Sequence, residues 1–222
     1  MNGKAQVITI DGPAGSGKST VAKMLAAKLH YLYLDTGALY RAVAYKISSL
    51  GLTGANEEEL QVLLAQTVIR LKRNFDGLAV LVDEEDVSRK IRTEEIAVIA
   101  STASALPVVR QALLPIQREC ARGDSVVAEG RDMGTVVFPE ATFKFYLHAS
   151  SEERARRRYR ELIEKGLAPD FEEIRASIIL RDKQDTERAA SPLRIPEDAQ
   201  VIDSSTLTIS EVMAEILKKI EC

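Results

Sequence analysis

Residues 12–19 read Gly-Pro-Ala-Gly-Ser-Gly-Lys-Ser, the G-x-x-x-x-G-K-[ST] spacing that cradles phosphate groups. Such a loop works only where a buried strand turns sharply into a helix and aims its backbone N–H groups at an anion. Both flanks meet that requirement. The apolar run Val7-Ile8-Thr9-Ile10 precedes the loop, and Val21, Met24, Leu25 and Leu29 recur at helical spacing after it. Gly12, Gly15 and Gly17 let the chain approach a ligand closely. In a loop of this type Lys18 reaches the β- and γ-phosphates of a bound nucleotide and the Ser19 hydroxyl ligates Mg²⁺. The whole segment Gly12, Pro13, Ala14, Gly15, Ser16, Gly17, Lys18, Ser19 and Thr20 is the expected triphosphate-binding loop.

Three further stretches carry groups that could act on a second anion. Asp35-Thr36-Gly37-Ala38-Leu39-Tyr40-Arg41 follows a strand-like run and opens a helix, where Thr36 and Arg41 suit a phosphate. Taken alone, a plain helix cap with a surface Arg explains it as well. Val126-Val127-Ala128-Glu129-Gly130-Arg131-Asp132-Met133-Gly134 is a buried strand ending in an acid, then an Arg-Asp pair between glycines. Glu129 is placed to hold the Mg²⁺ shell, and Arg131 and Asp132 to face the crevice beyond the strand ends. Finally, Arg154, Arg156, Arg157, Arg158 and Arg160 crowd one predicted helix, and Arg181, Asp185 and Arg188 share a face of the next. A solvated charged face is the usual reading of such runs. Neutralisation of a transferring phosphoryl group is the functional one. Ser101 and Arg110, by contrast, say little from context, and His30 and His148 fit structural roles.

These groups need a scaffold, and the pattern supplies an α/β one. Strand-like runs at 6–10, 31–34, 125–129, 142–147 and 199–203 alternate with helical patterns at 18–29, 38–49, 93–121, 151–166, 170–189 and 208–220. Alternation of this kind predicts a parallel sheet covered on both faces. Pro107 is expected to break the 93–121 stretch into two helices. Residues 53–92 interrupt the rhythm with a short helix near 57–66 and β-like runs at 67–71 and 78–82, joined by Asn74-Phe75-Asp76-Gly77. A local antiparallel insert is expected there.

Composition limits the partners. The 222 residues are 45% hydrophobic, with 30 Lys and Arg against 33 Asp and Glu, a formal charge of −3. That balance gives no global attraction to nucleic acid or to a membrane surface, so any anion binding is local. Cys120 and Cys222 lack metal-ligand or framework spacing and suit a reducing compartment. With no signal-peptide pattern and no run long enough to span a bilayer, a cytoplasmic protein is expected.

Taken together, the motifs resemble the bacterial cytidylate kinases, a family of P-loop nucleoside monophosphate kinases. The resemblance runs through Ile8–Pro13, Leu34–Arg41, Asp86-Val87-Ser88, Ile91-Arg92-Thr93, Glu129–Pro139, Ser150–Ala155, the Arg181-Asp182…Asp185…Arg188 helix and Asp203-Ser204-Ser205. It implies one kinase domain: a core of five parallel strands at about 1–52, 93–150 and 170–222, a small sheet-containing insert for the monophosphate at about 53–92, and an arginine-rich helical lid at about 151–169. It also implies ATP as donor, CMP or dCMP as acceptor, and a monomer. By the resemblance, Thr36, Arg41, Arg131 and Arg188 hold the monophosphate or its nucleoside, and Ser101, Arg110, Asp132, Arg181 and Asp185 recognise cytosine and sugar. Lys18, Arg131, Arg158 and Arg188 are the expected catalytic cations, and Arg154 and Arg157 the lid contacts to ATP. His148 departs from the family pattern, outside the matched motifs. Kinases of UMP, shikimate or dephospho-coenzyme A would keep the same loop and lid, and a nucleotide-dependent switch would keep the loop.

Overall fold

The structure, a computed structural model, describes residues 5–74 and 77–221. The tip of the expected turn at Phe75-Asp76, the first four residues and Cys222 lie outside the described residues. In chain order the elements are β1 (Val7–Asp11), α1 (Lys18–Leu29), β2 (Leu32–Asp35), α2 (Thr36–Ser49), α3 (Glu57–Gln66), β3 (Ile69–Asn74), β4 (Gly77–Val82), β5 (Glu85–Asp86), α4 (Glu94–Ala103), α5 (Pro107–Glu119), β6 (Val126–Gly130), β7 (Phe143–His148), α6 (Ser151–Glu164), α7 (Phe171–Glu187), β8 (Gln200–Asp203) and α8 (Ile209–Ile220). A 3₁₀ turn at Lys90–Arg92 and a π-helical turn at Met133–Val137 complete them.

The main sheet runs β2-β6-β1-β7-β8 with every pairing parallel. Parallel strands joined by helices are buried on both faces, which is why Ile8, Ile10, Val126, Val127, Ala128, Phe145 and Leu147 are almost wholly excluded from solvent. One face packs Val21 and Leu25 of α1 with Val212 and Ile216 of α8 over Ile8, Ile10, Phe145 and Ile202. The register aligns the carboxyl ends of the strands, setting Asp11 beside Gly130 and Tyr146, and Asp35 beside Glu129. The loop after β1 and the Arg-Asp pair after β6 therefore emerge at one edge of the sheet, where open α/β sheets bind ligands.

The small sheet β3-β4-β5 is antiparallel, with Ile69 opposite Val82 and Leu71 opposite Val80. Its apolar residues Ile69, Val80 and Val82 share one cluster with Leu39 and Val43 of α2, Leu60 of α3, Ile96 of α4 and Leu113 of α5. The helices after the insert are thus packed with it. Side chains cap α2, α3, α4, α6, α7 and α8, and Pro107 opens α5 at its first turn. Helix α1 differs: Gly17, at φ 91°, precedes it with no side-chain cap, leaving its first N–H groups for another acceptor.

Candidate active site

A cavity of about 490 Å³ opens at the carboxyl edge of the sheet. Nine cationic side chains line it against six carboxylates, drawn from the loop, α2, α4, α5, the end of β6, α6 and α7. A concave surface of that charge is built for polyanions.

On one side lies the loop. Gly12 sits at φ 152°, and a Cβ there would stand 2.2 Å from the Leu147 carbonyl oxygen, so the first glycine is required by β7 behind it. Ala14, Gly15, Lys18 and Ser19 reach the cavity, whereas Gly12, Pro13, Ser16, Gly17 and Thr20 shape the loop without lining it. The Ser16 hydroxyl is buried without a partner. Lys18 donates to the Pro13 carbonyl at 3.1 Å. Burial, reinforced by Arg131 and opposed by Glu129, pulls its ammonium down to about 7. Arriving phosphate charge would favour the ammonium form again.

Glu129 is 4% exposed and accepts from the Tyr33 hydroxyl at 2.8 Å. It lines the cavity with Ser19, while no cluster of three His, Cys, Asp or Glu capable of holding a metal exists among the described residues. Two hard oxygen donors beside a phosphate loop suit Mg²⁺, which takes most of its ligands from water and substrate phosphates.

The opposite side is made of side chains. Thr36 donates to the Glu129 carbonyl at 2.7 Å, and Arg41 pairs with Asp35 at 2.7 Å while Asp35 also caps α2 through the Ala38 N–H. Arg131 donates through Nε to Asp185 at 2.8 Å, and Arg188 lies 3.6 Å from the same carboxylate. Burial works to raise Asp185, but Arg131 and Arg188 outweigh it and hold the carboxyl below its ordinary value. Arg181 Nε and Arg188 Nη2 are buried with no partner. Unsatisfied guanidinium nitrogens are costly unless a ligand completes them. Arg110 and Asp132 form a buried ion pair, with Arg110 also donating to the Ser104 carbonyl at 2.9 Å.

The arginines of α6 divide. Arg158 lines the cavity, bridging Glu94 at the start of α4 and Glu161 at 2.8 Å. Arg154 and Arg157 do not line it. Arg154, 3% exposed, donates to the carbonyls of Ala149 and Ala14 and to Asp182, tying the loop to α6 and α7. Arg157 reaches the carbonyls of Ser16 and Ser204. Ser101 is also outside the cavity; its carbonyl accepts from the Ser104 hydroxyl, and Ser104 is the serine that lines the wall.

Sequence reasoning passed over two groups here. Asp11 is completely buried, and its two oxygens accept from the N–H groups of Met133 and Gly134 at 2.8 Å each. Burial drives its carboxyl up to about 7 against those hydrogen bonds. It ties the residue before the loop to the residues after Asp132. An acid closing an apolar strand was the available signal. Tyr40, with its ring beneath Arg110, carried none beyond its place in a helix.

Known proteins resemble this chain along nearly its whole length. A family model described as cytidylate kinase matches residues 8–222. The cytidylate kinase of Carboxydothermus hydrogenoformans is 47% identical over 211 residues, covering 95% of each chain. That of Vibrio cholerae is 46% identical over 221 residues, covering 100% of this chain and 98% of the relative. A solved structure of an uncharacterized protein from Eubacterium ventriosum superimposes with a TM-score of 0.54 at 12% identity, over 97% of this chain and 98% of that one, a likeness of fold alone.

Proposed function

The chain belongs to the cytidylate kinase family and phosphorylates CMP and dCMP with ATP, and on that footing we propose how its residues divide the work. The triphosphate of ATP binds the loop from Gly12 to Thr20, with Lys18 on the β- and γ-phosphates. The monophosphate of CMP lies against Thr36, Arg41, Arg131 and Arg188, with Asp185 and Arg181 toward the sugar and Arg110, Asp132 and Ser101 toward the base. The observation that carries this reading is the joining, in one cavity, of an uncapped helix N-terminus to guanidinium groups that keep buried nitrogens without a partner, Arg181 Nε and Arg188 Nη2 among them.

The acceptor is a phosphate oxygen that is already anionic, so transfer needs no base and no protein nucleophile. The chain instead aligns donor and acceptor and neutralises charge, and positioning of that kind supplies roughly 7–11 kcal/mol. Lys18, Arg131, Arg158 and Arg188 are the neutralising cations. Arg158 reaches the transferring group by leaving Glu94, which closes α6 over the cavity and excludes water. Arg154 and Arg157 serve ATP through the loop backbone that they hold. Ser19 and, through water, Glu129 would hold Mg²⁺, which would neutralise phosphate charge there.

The domain divides into a core at about 1–52, 93–150 and 170–222, an insert at about 53–92 and a lid at about 151–169. It acts as a cytoplasmic monomer, a reading supported by an ATP-dependent reaction that needs no second copy to complete the cavity. No single helix among the described residues is long and apolar enough to cross a membrane. ADP release measured with ATP and each nucleoside monophosphate in turn tests the reading. CMP and dCMP should drive it rapidly, and equal turnover with UMP or AMP would overturn the base assignment.

A further inference from the structure

Arg110 is an unusual side chain for a site that must tell one base from another. It is 7% exposed, has one carboxylate partner in Asp132, and its Nε has none. Two contacts, to Asp132 and to the Ser104 carbonyl, hold the two terminal nitrogens of the guanidinium. The third contact is a face. Arg110 lies over the Tyr40 ring with its central carbon 5.2 Å from the ring centre. Cation–π attraction strengthens when the pair is desolvated, and Tyr40 is only 9% exposed. Burial, with Asp132 nearby, also pushes the Tyr40 phenol up, so the ring stays neutral. Tyr40 lines both the main cavity and a smaller one of about 200 Å³ on which Arg110 and Asp132 also border. The ring thus stands at the wall that carries the buried ion pair.

We propose that Tyr40 is a positioning residue for base discrimination, its ring face setting the plane in which the Arg110 guanidinium meets cytosine. The inference rests on the reading that Arg110 and Asp132 recognise the base. It differs from a packing role in one respect: the electron density of the ring face matters, and its volume alone does not suffice. Replacing Tyr40 by phenylalanine and then by phenylalanines of increasing ring fluorination lowers the face charge with little change in size, so the fold is kept across the series.

The measured quantity is the ratio of kcat/KM for CMP to that for UMP. Phenylalanine should retain the parent ratio, the fluorinated series should lower it stepwise by about tenfold in all, and KM for ATP should stay constant. A ratio that is flat across the series overturns the role of Tyr40. Asp132→Ala and Arg110→Met, measured alongside, report on the reading beneath it. If they leave the ratio unchanged, the base assignment itself fails; if they abolish discrimination while the fluorinated series stays flat, only the Tyr40 inference fails.

Discussion

The two halves of the cavity, proposed for donor and acceptor, offer an anion different kinds of group. The loop side is one continuous stretch of chain whose binding groups are mostly backbone N–H, shaped by glycines and served by a single buried ammonium at Lys18. The acceptor side gathers side chains from α2, α5, the end of β6 and α7, and holds its guanidinium groups on carboxylates before any ligand arrives. Backbone donors are pre-aimed and indifferent to what the phosphate is attached to. Paired side chains can be selective, because a wrong ligand leaves a buried partner unsatisfied. The donor half should therefore govern rate and the acceptor half identity.

The strongest demonstration of that split is Lys18→Ala. Removing a charge that acts on the transferring group costs about 10²–10³ in kcat in comparable sites, and steady-state kinetics should show that loss with KM for CMP nearly unchanged. Arg188→Ala, on the other half, should also slow turnover by orders of magnitude, but with KM for CMP raised as well. A Lys18→Ala enzyme near the parent rate would place catalysis elsewhere.

Next in size is Asp132→Ala, which leaves Arg110 buried without its carboxylate. Losing one buried recognition partner costs about 1–3 kcal/mol of discrimination. The preference for CMP over UMP should fall accordingly, while the rate with saturating ATP and the KM for ATP change little. An unaltered preference would remove Asp132 from base recognition.

The same division explains what could be read from sequence. The loop is legible because its groups are contiguous, and the main-sheet strands because apolar runs buried on both faces stand out; each lies within one residue of its expected place. The acceptor half is legible only in fragments. Arg131, Asp132, Arg181, Asp185 and Arg188 carry the family resemblance, and their spacing puts Asp185 and Arg188 on one face, yet nothing in it reveals that Arg131 joins them at Asp185. The π-helical turn at Met133–Val137 was missed because it is stabilised by Asp11 from a strand more than a hundred positions away. Pairings of that range leave no local period.

A pH measurement separates the halves again, with a smaller effect. Lys18, held near 7 in the free protein, is largely neutral at pH 8, and triphosphate charge returns it toward its ordinary value. ATP binding at pH 8 should therefore take up a proton, approaching about one per site, detected by calorimetry in buffers of different ionisation enthalpy. Lys18→Ala should lack that uptake. The linkage has a stability counterpart. A lysine lowered in the folded state is protonated only in the unfolded chain between pH 7 and its ordinary value, so this group makes the free protein more stable as pH rises through that window. Asp11, raised to about 7, acts in the other direction: its contribution is fully present below the ordinary carboxylate value and is lost as pH rises to 7.

The smallest effect is expected at Ser101, and it bears on how the acceptor half closes. In the free protein Ser101 does not line the cavity, while Glu94, seven positions earlier on the same helix, is held by Arg158 of α6. If releasing Arg158 to phosphate lets α4 settle toward the base, the Ser101 hydroxyl gains one neutral hydrogen bond. Such a bond is worth about 0.5–1.5 kcal/mol net. Ser101→Ala should then raise KM for CMP roughly two- to tenfold and leave kcat and the ATP half untouched. Glu94→Gln, which breaks the tie between α4 and Arg158 while leaving Arg158 on Glu161, should lower KM for CMP in the parent background but not in Ser101→Ala. Equal effects in both backgrounds would show that α4 stays where the free structure has it, and that the base is read from Arg110 and Asp132 alone.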